Sequence, residues 1–240
     1  MRKKYYLAYV FTTEYICSQS THITMNIILI GASGFVGKAL LNEALSRSHK
    51  VTAVIRDPSK ITLIHNNLTV VKSDVSDTET LISIAKGKDA VISAYNPGWT
   101  NPNIYEDTQN NYNSILAAAK RSGVKRLLCV GGAGTLFVKP GVRVMDAANF
   151  PNPILADGIK SLGKFYLETL TNEEEIDWVF FSPASNISPG ERTGKFRLGK
   201  DDLVVDADGN SKISVEDYAV AMIDELEKPA HHQERFTIGY

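Results

Sequence analysis

The sequence predicts an α/β fold, a doubly wound parallel sheet with helices on both faces and a small C-terminal lobe. Three observations carry that expectation. Short β-branched runs alternate with helical patterns along the chain, the rhythm of βαβ units. The first run, "NIILIG" (26–31), is apolar throughout, as a strand buried on both faces must be. Glycines follow it directly and lead into a helical pattern.

The remaining elements follow in order. After the glycines, Val36, Leu40 and Ala44 share one helical face. "VTAVI" (51–55) and "LTVV" (68–71) supply the second and third strands, and "AVISA" (90–94) the fourth. Between them, Ser76 followed by Glu79 reads as a capping box opening a helix that carries Leu81 and Ile84. The loop "YNPGWTNPN" precedes a helix with Tyr112, Ile115, Leu116 and Ala119 at helical spacing. "RLLCVGG" (126–132) is the fifth strand, and "DWVFFSP" (177–183) the sixth, after a helix over 157–172. Farther on, "VVDADGNSKIS" reads as a hairpin around an Asp-Gly turn. Ser214 then caps an amphipathic helix with Val215, Tyr218, Ala219, Met222, Ile223 and Leu226 on one stripe, and "RFTIGY" closes the chain as a strand.

Composition narrows the function classes. With 240 residues, 43% hydrophobic and 22% charged, the chain suits one folded domain with an ordinary core. A net charge of −1 offers no basic field to nucleic acid or to a membrane surface. No apolar run is long enough to span a bilayer. Cys17 and Cys129 form no framework and lack metal-ligand spacing, so no metal site and a cytoplasmic setting are expected. Residues 1–24 begin with basic residues but lack a small-residue cleavage site, so they read as a tail or upstream-start extension. The expected organisation is a single domain over 25–240, with 183–240 as the small substrate lobe, in a monomer or homodimer.

Gly31, Gly34 and Gly37 form GxxGxxG between a strand and a helix, which points to a bound dinucleotide. Gly31 permits the tight turn, Gly34 admits a pyrophosphate close to the backbone, and Gly37 lets helix and strand pack closely. The helix start offers unpaired N–H groups to the phosphates, so Ser33, Phe35 and Val36 join the cofactor set. At the end of the second strand stand Arg56 and, after a short turn, Lys60. A guanidinium there pairs with a 2′-phosphate and favours NADP(H) over NAD(H). The opposing reading makes both cations solvated and gives a plain ribose to Asp57. Asp74 is placed to accept from the adenine amino group, or else only forms a turn. Val75 lies beside it, and Ser93 and Ala94 end the fourth strand against the cofactor.

From Met25 to Tyr240 the chain resembles the atypical short-chain dehydrogenase/reductase superfamily, through "GASGFVG", "VIRDPSK", "SDVSD", "DAVISA" and "ISVEDYAVAMIDELE". Its "ISAYNPGW", "VGGAGTLFV" and "FFSPASNISPGERTGKFRL" are similar to small bacterial NAD(P)-binding proteins proposed as NADH-flavin reductases, close to NmrA-like proteins. That resemblance implies a Rossmann-type domain. It also implies a Ser, a Tyr and a Lys for catalysis, the last two as Tyr-x-x-x-Lys on the helix before the sixth strand. Here Lys164 matches the lysine, Lys160 stands where the tyrosine belongs, and Thr135 is the hydroxyl nearest the serine region. Thr135 and Lys164 are therefore the catalytic candidates, with Lys164 also a ribose ligand.

Ketone reduction needs a proton donor at the developing alkoxide, and the tyrosine that would supply it is missing. A flavin or quinone-like acceptor stabilises the arriving charge itself and suits such a site. For that acceptor, Tyr95, Trp99 and Phe137 are candidate aromatic walls, against the alternative that they only pack loops. Arg192, beside Glu191, either orients a polar substrate or pairs within its own loop.

Overall fold

The first apolar run divides its side chains between two cores. The structure, a computed structural model, describes residues 23–150 and 152–240. In strand β1 (Asn26–Ile30), Ile27 and Leu29 enter one buried cluster, and Ile28 and Ile30 enter the other. Side chains alternate along a strand, so a strand covered on both faces must be apolar at every position. Each such aliphatic side chain contributes roughly 1.5–3 kcal/mol by leaving water.

In chain order the elements are α1 (Phe35–Ser46), β2 (Lys50–Ile55), β3 (Leu68–Lys72), α2 (Thr78–Ala85), β4 (Ala90–Ser93) and α3 (Ile104–Ser122). Then come β5 (Arg126–Val130), β6 (Phe137–Lys139), β7 (Val142–Arg143), α4 (Val144–Ala147), α5 (Pro153–Lys164) and β8 (Asp177–Ser182). The chain finishes with β9 (Asn186–Ser188), β10 (Arg197–Gly199), β11 (Lys212–Ser214), α6 (Val215–Glu227) and β12 (Glu234–Gly239). The main sheet has eight strands in the order β10-β12-β8-β5-β4-β1-β2-β3, all neighbours parallel except β10 and β12. Helices α1 and α6 cover one face, and α2, α3 and α5 the other. The winding reverses between β1 and β4, which opens a crevice at their carboxyl ends.

Several local expectations are corrected. Asp77, not Ser76, caps α2, its carboxylate accepting from Thr80 N at 3.0 Å and Thr80 Oγ1 at 2.7 Å. Ser76 is drawn instead onto Asp74. The helix before the sixth parallel strand starts at Pro153, capped by Asn152, and ends in a wide turn over Phe165–Thr169 and a tight one over Leu170–Asn172. Asp206 does close the Asp-Gly turn, accepting from Asn210 N at 2.8 Å. No hairpin ladder forms there, because β11 pairs in parallel with β9. The last strand joins the main sheet beside β8. Most of the expected tail, residues 1–22, lies outside the described residues. No described helix is long and apolar enough to cross a membrane.

Candidate functional site: a nucleotide cleft at the winding reversal

The cleft begins where the backbone leaves β1. Gly31 has φ +79°, and a Cβ there would lie 2.5 Å from Ala94 O, so the turn is pressed against the end of β4. A Cβ on Gly37 would stand 2.1 Å from Gly31 O, so α1 closes onto the turn only with glycine at that position. Gly34 caps α1 with no side-chain bond, and the ladder starts with Lys38 N donating to Gly34 O at 2.9 Å. The N–H groups of Phe35, Val36 and Gly37 are left for a ligand, at the positive end of the helix dipole. Ser33 is half-buried in the same turn. A turn with no Cβ at Gly31 and Gly34, facing uncapped donors, fits a pyrophosphate.

Of the polar groups past β2 and β3, some are open and some engaged. Arg56 and Lys60 are exposed, and Arg56 has no hydrogen-bond or ion-pair partner among the described residues. Asp57 is occupied, accepting from Ser59 Oγ at 2.7 Å and Ser59 N at 3.1 Å, bonds that hold its carboxyl below the usual range. Asp74 accepts from Ser76 N at 2.9 Å and Ser76 Oγ at 2.8 Å with the same Oδ1. Those bonds lower its pKa, with the nearby Arg56 charge adding to them. Val75 is buried behind it, and its carbonyl takes the Ser114 hydroxyl at 2.6 Å. Ser93 is fully buried at the end of β4, and the Ala94 carbonyl faces Gly31.

Tyr95 is braced by α3: Asn111 Nδ2 donates to its hydroxyl at 2.6 Å, and Tyr112 stands edge-on at 5.8 Å. Burial pushes the Tyr95 hydroxyl up, which disfavours it as an acid. Trp99 is half-exposed and lies against α5, where a Cβ on Gly158 would come within 2.8 Å of its ring. Ile159 and Leu162 line the side of α5 that faces Gly134 and Gly132 at the end of β5. Lys160 and Lys164 lie on the exposed side, with Lys164 Nζ 3.9 Å from Glu168.

The other predicted polar groups are engaged elsewhere. Thr135 is buried, and Arg235 of β12 donates Nη1 to its Oγ1 and its carbonyl, each at 2.8 Å. Arg235 also pairs with Asp201 at 2.5 Å and stands 5.0 Å over the Tyr166 ring. Phe137, in the β6–β7 hairpin, is covered by Arg143 at 5.4 Å and bonded through its backbone to the 201–203 segment. Arg192 pairs neither with a cleft group nor with Glu191; it grips Glu43 of α1 at 2.8 and 2.7 Å, behind the phosphate turn. Cys129 is buried, with its thiol pushed up to about 12, and so is inert. No cluster of three metal-ligating side chains exists among the described residues.

Sequence reasoning missed Arg235 and the apolar side of α5. Gly158 and Gly163, glycines inside a helix, were the available signal of close approach. Gly163 indeed packs against Met145 and Thr135.

The chain matches the model of the NAD(P)H-binding family over residues 31–229. YwnB, an uncharacterised protein of Bacillus subtilis (strain 168), is 40% identical over 217 residues, spanning 89% of this chain and 98% of its own. A solved structure of a proposed epimerase from Bacteroides thetaiotaomicron is 58% identical with a TM-score of 0.85, over 91% of this chain and 98% of its own. That of SP1627, a proposed NADH-flavin reductase from Streptococcus pneumoniae TIGR4, is 31% identical with a TM-score of 0.78, over 90% and 99%. From its glycine turn to its last helix, the chain belongs to the NAD(P)H-binding family, within the atypical short-chain dehydrogenase/reductase group.

Proposed function

We propose that the protein is an NADPH-dependent reductase whose acceptor is a flavin or quinone-like ring. One observation carries the reading: among the described residues, the end of β5 presents no acidic side chain free to protonate an alkoxide. Thr135 is held by Arg235, and Lys160 and Lys164 lie on the exposed side of α5. What faces Gly132 and Gly134 from α5 is apolar. An acceptor that stabilises its own incoming charge needs positioning and dryness rather than a protein acid.

In this reading the coenzyme, when bound, would supply the hydride. The uncapped turn at Phe35–Gly37 holds the diphosphate, and Asp74 Oδ2 remains to meet the adenine. Arg56, with Lys60 behind it, takes the 2′-phosphate, and the turning of Asp57 onto Ser59 supports NADP(H) over NAD(H). Tyr95, Trp99, Ile159 and Leu162 form the acceptor's walls. Lys164 reaches the nicotinamide ribose only by leaving Glu168, an exposed pair that holds it weakly. The likeness to the proposed NADH-flavin reductase supports the same acceptor class. Residues 183–240 serve as the substrate lobe, in a cytoplasmic monomer or homodimer.

The likeness to a proposed epimerase favours a second reading, in which the coenzyme is recycled and never consumed. Steady-state assays with FMN, a naphthoquinone and a panel of ketones and nucleotide sugars separate the two. Loss of the reduced-nicotinamide absorbance with FMN or the quinone, and not with ketones, is expected. Tight NADPH binding with no consumption by any acceptor would reject the reductase and leave a sensor or an epimerase.

A further inference from the structure

We propose that the groove between α1 and α6 is a second small-molecule site, separate from the nucleotide cleft, and that it takes an elongated apolar carboxylate. The groove encloses about 620 Å³. That volume falls within the roughly 300–1,000 Å³ of small-ligand sites. Its walls are largely apolar, from Phe35 and Ala39 on α1, Val215 and Ala219 on α6, and Pro189 in the crossing loop. The two alanines face each other where larger residues would interdigitate, so the helices leave space between them. Phe35 is 49% exposed, a large aromatic ring at the groove's upper end that no described residue covers.

The groove's unpaired donors, rather than its balanced net charge, are what would meet an anion. Glu43 lines the groove but is paired with Arg192 and with Arg47, which also holds Asp224 and Glu227. Burial raises its carboxyl, yet the two guanidinium groups outweigh that and hold it ionised. Lys38 and Asn42, one turn apart on the same face of α1, have no hydrogen-bond partner among the described residues. The Arg192 Nη1 is also unused across the groove, its Nε and Nη2 being taken by Glu43. Against these donors stands Glu216, one oxygen of which accepts from Gly190 N at 2.9 Å. An apolar body lying along Ala39 and Ala219, with its carboxylate at Lys38, Asn42 and Arg192, satisfies the floor and the donors together. The site shares only Phe35 with the phosphate turn, through its ring rather than its amide, and needs neither coenzyme nor acceptor, so its fate is independent of the reductase reading.

Calorimetric titration of the full chain with 2-naphthoate and with octanoate tests the proposal, with 2-naphthylmethanol and 2-naphthylmethylamine as neutral and cationic controls. One saturable site is expected for the carboxylates, and affinity about tenfold weaker or worse for both controls. Asn42→Trp, at an exposed position, should fill the groove and weaken 2-naphthoate about tenfold or more while NADPH affinity stays unchanged. Lys38→Glu should weaken 2-naphthoate similarly, and it carries the test if the tryptophan variant does not fold. No saturable heat up to about 10 mM, equal affinity for the controls, or indifference to both substitutions would overturn the site.

Discussion

The two ends of the parallel sheet treat their polar groups in opposite ways. Around β1, β2 and β4 the chain leaves groups unpaired: the first-turn N–H groups of α1, the Arg56 guanidinium and one oxygen of Asp74. Around β5, β8 and β12 it consumes most of them, although Arg126 Nε, Asp177 Oδ1 and Ser182 Oγ stay buried without a partner among the described residues. Thr135 is bound to Arg235, and Asp217 takes four bonds from Thr193, Gly194 and Tyr240. Both ends carry residues that look chemical in sequence. The first-turn amides of α1 and the exposed Arg56 guanidinium are donors that a ligand can take without displacing a bond within the fold.

Substitutions can break or sharpen this contrast. The largest effect is expected from Gly37→Val, whose branched side chain would drive into Gly31 O. It should cost about 3 kcal/mol or more in a denaturant titration and abolish the heat of NADPH binding. Arg56→Ala comes next. Loss of a charge-assisted pair should weaken NADPH about 10- to 100-fold by calorimetry while NADH changes little. Equal losses for both coenzymes would mean that Arg56 does not read the 2′-phosphate.

On the satisfied side, Asp217→Asn should destabilise by about 2 kcal/mol at neutral pH. Burial raises the Asp217 carboxyl, but the bonds from Thr193, Gly194 and Tyr240 outweigh it and hold it below the usual range. A depressed native pKa stabilises above the unfolded value, near ~3.9, and that stabilisation is lost as pH falls through the native value. The gap between wild type and Asp217→Asn should therefore narrow below about pH 4 in denaturant titrations. The smallest effect on turnover is expected from Thr135→Val, with a rate within about threefold of wild type and a stability loss near 1 kcal/mol. A collapse in kcat with unchanged stability would make Thr135 a catalytic residue after all.

The legible parts of the molecule were those written in local pattern. β1 showed itself because burial on both faces demands consecutive apolar residues, and the turn after it because only glycine fits at Gly31 and Gly37. The Ser214 cap of α6 was legible for the same reason, its hydroxyl accepting from Asp217 N three residues on. Illegible were the partners chosen across the chain. Arg192 meets a carboxylate 149 positions away, and Arg235 meets Thr135 at 100 positions. No periodicity encodes such a pairing. β10 hid because it is short and Leu198 is half-exposed, which leaves little alternation to read. Ser76 misled because Asp74 and Asp77 compete for the same stretch of backbone, and each took one role.

The contrast between the two ends is tested most directly by amide shift changes on adding NADPH to ¹⁵N-labelled protein. The account predicts the largest changes at Phe35, Val36 and Gly37, with further ones at Arg56 and Ala94, and almost none at Arg192 or Asp217. Large changes confined to residues 189–194 and 201–203, with the α1 amides unmoved, would contradict it.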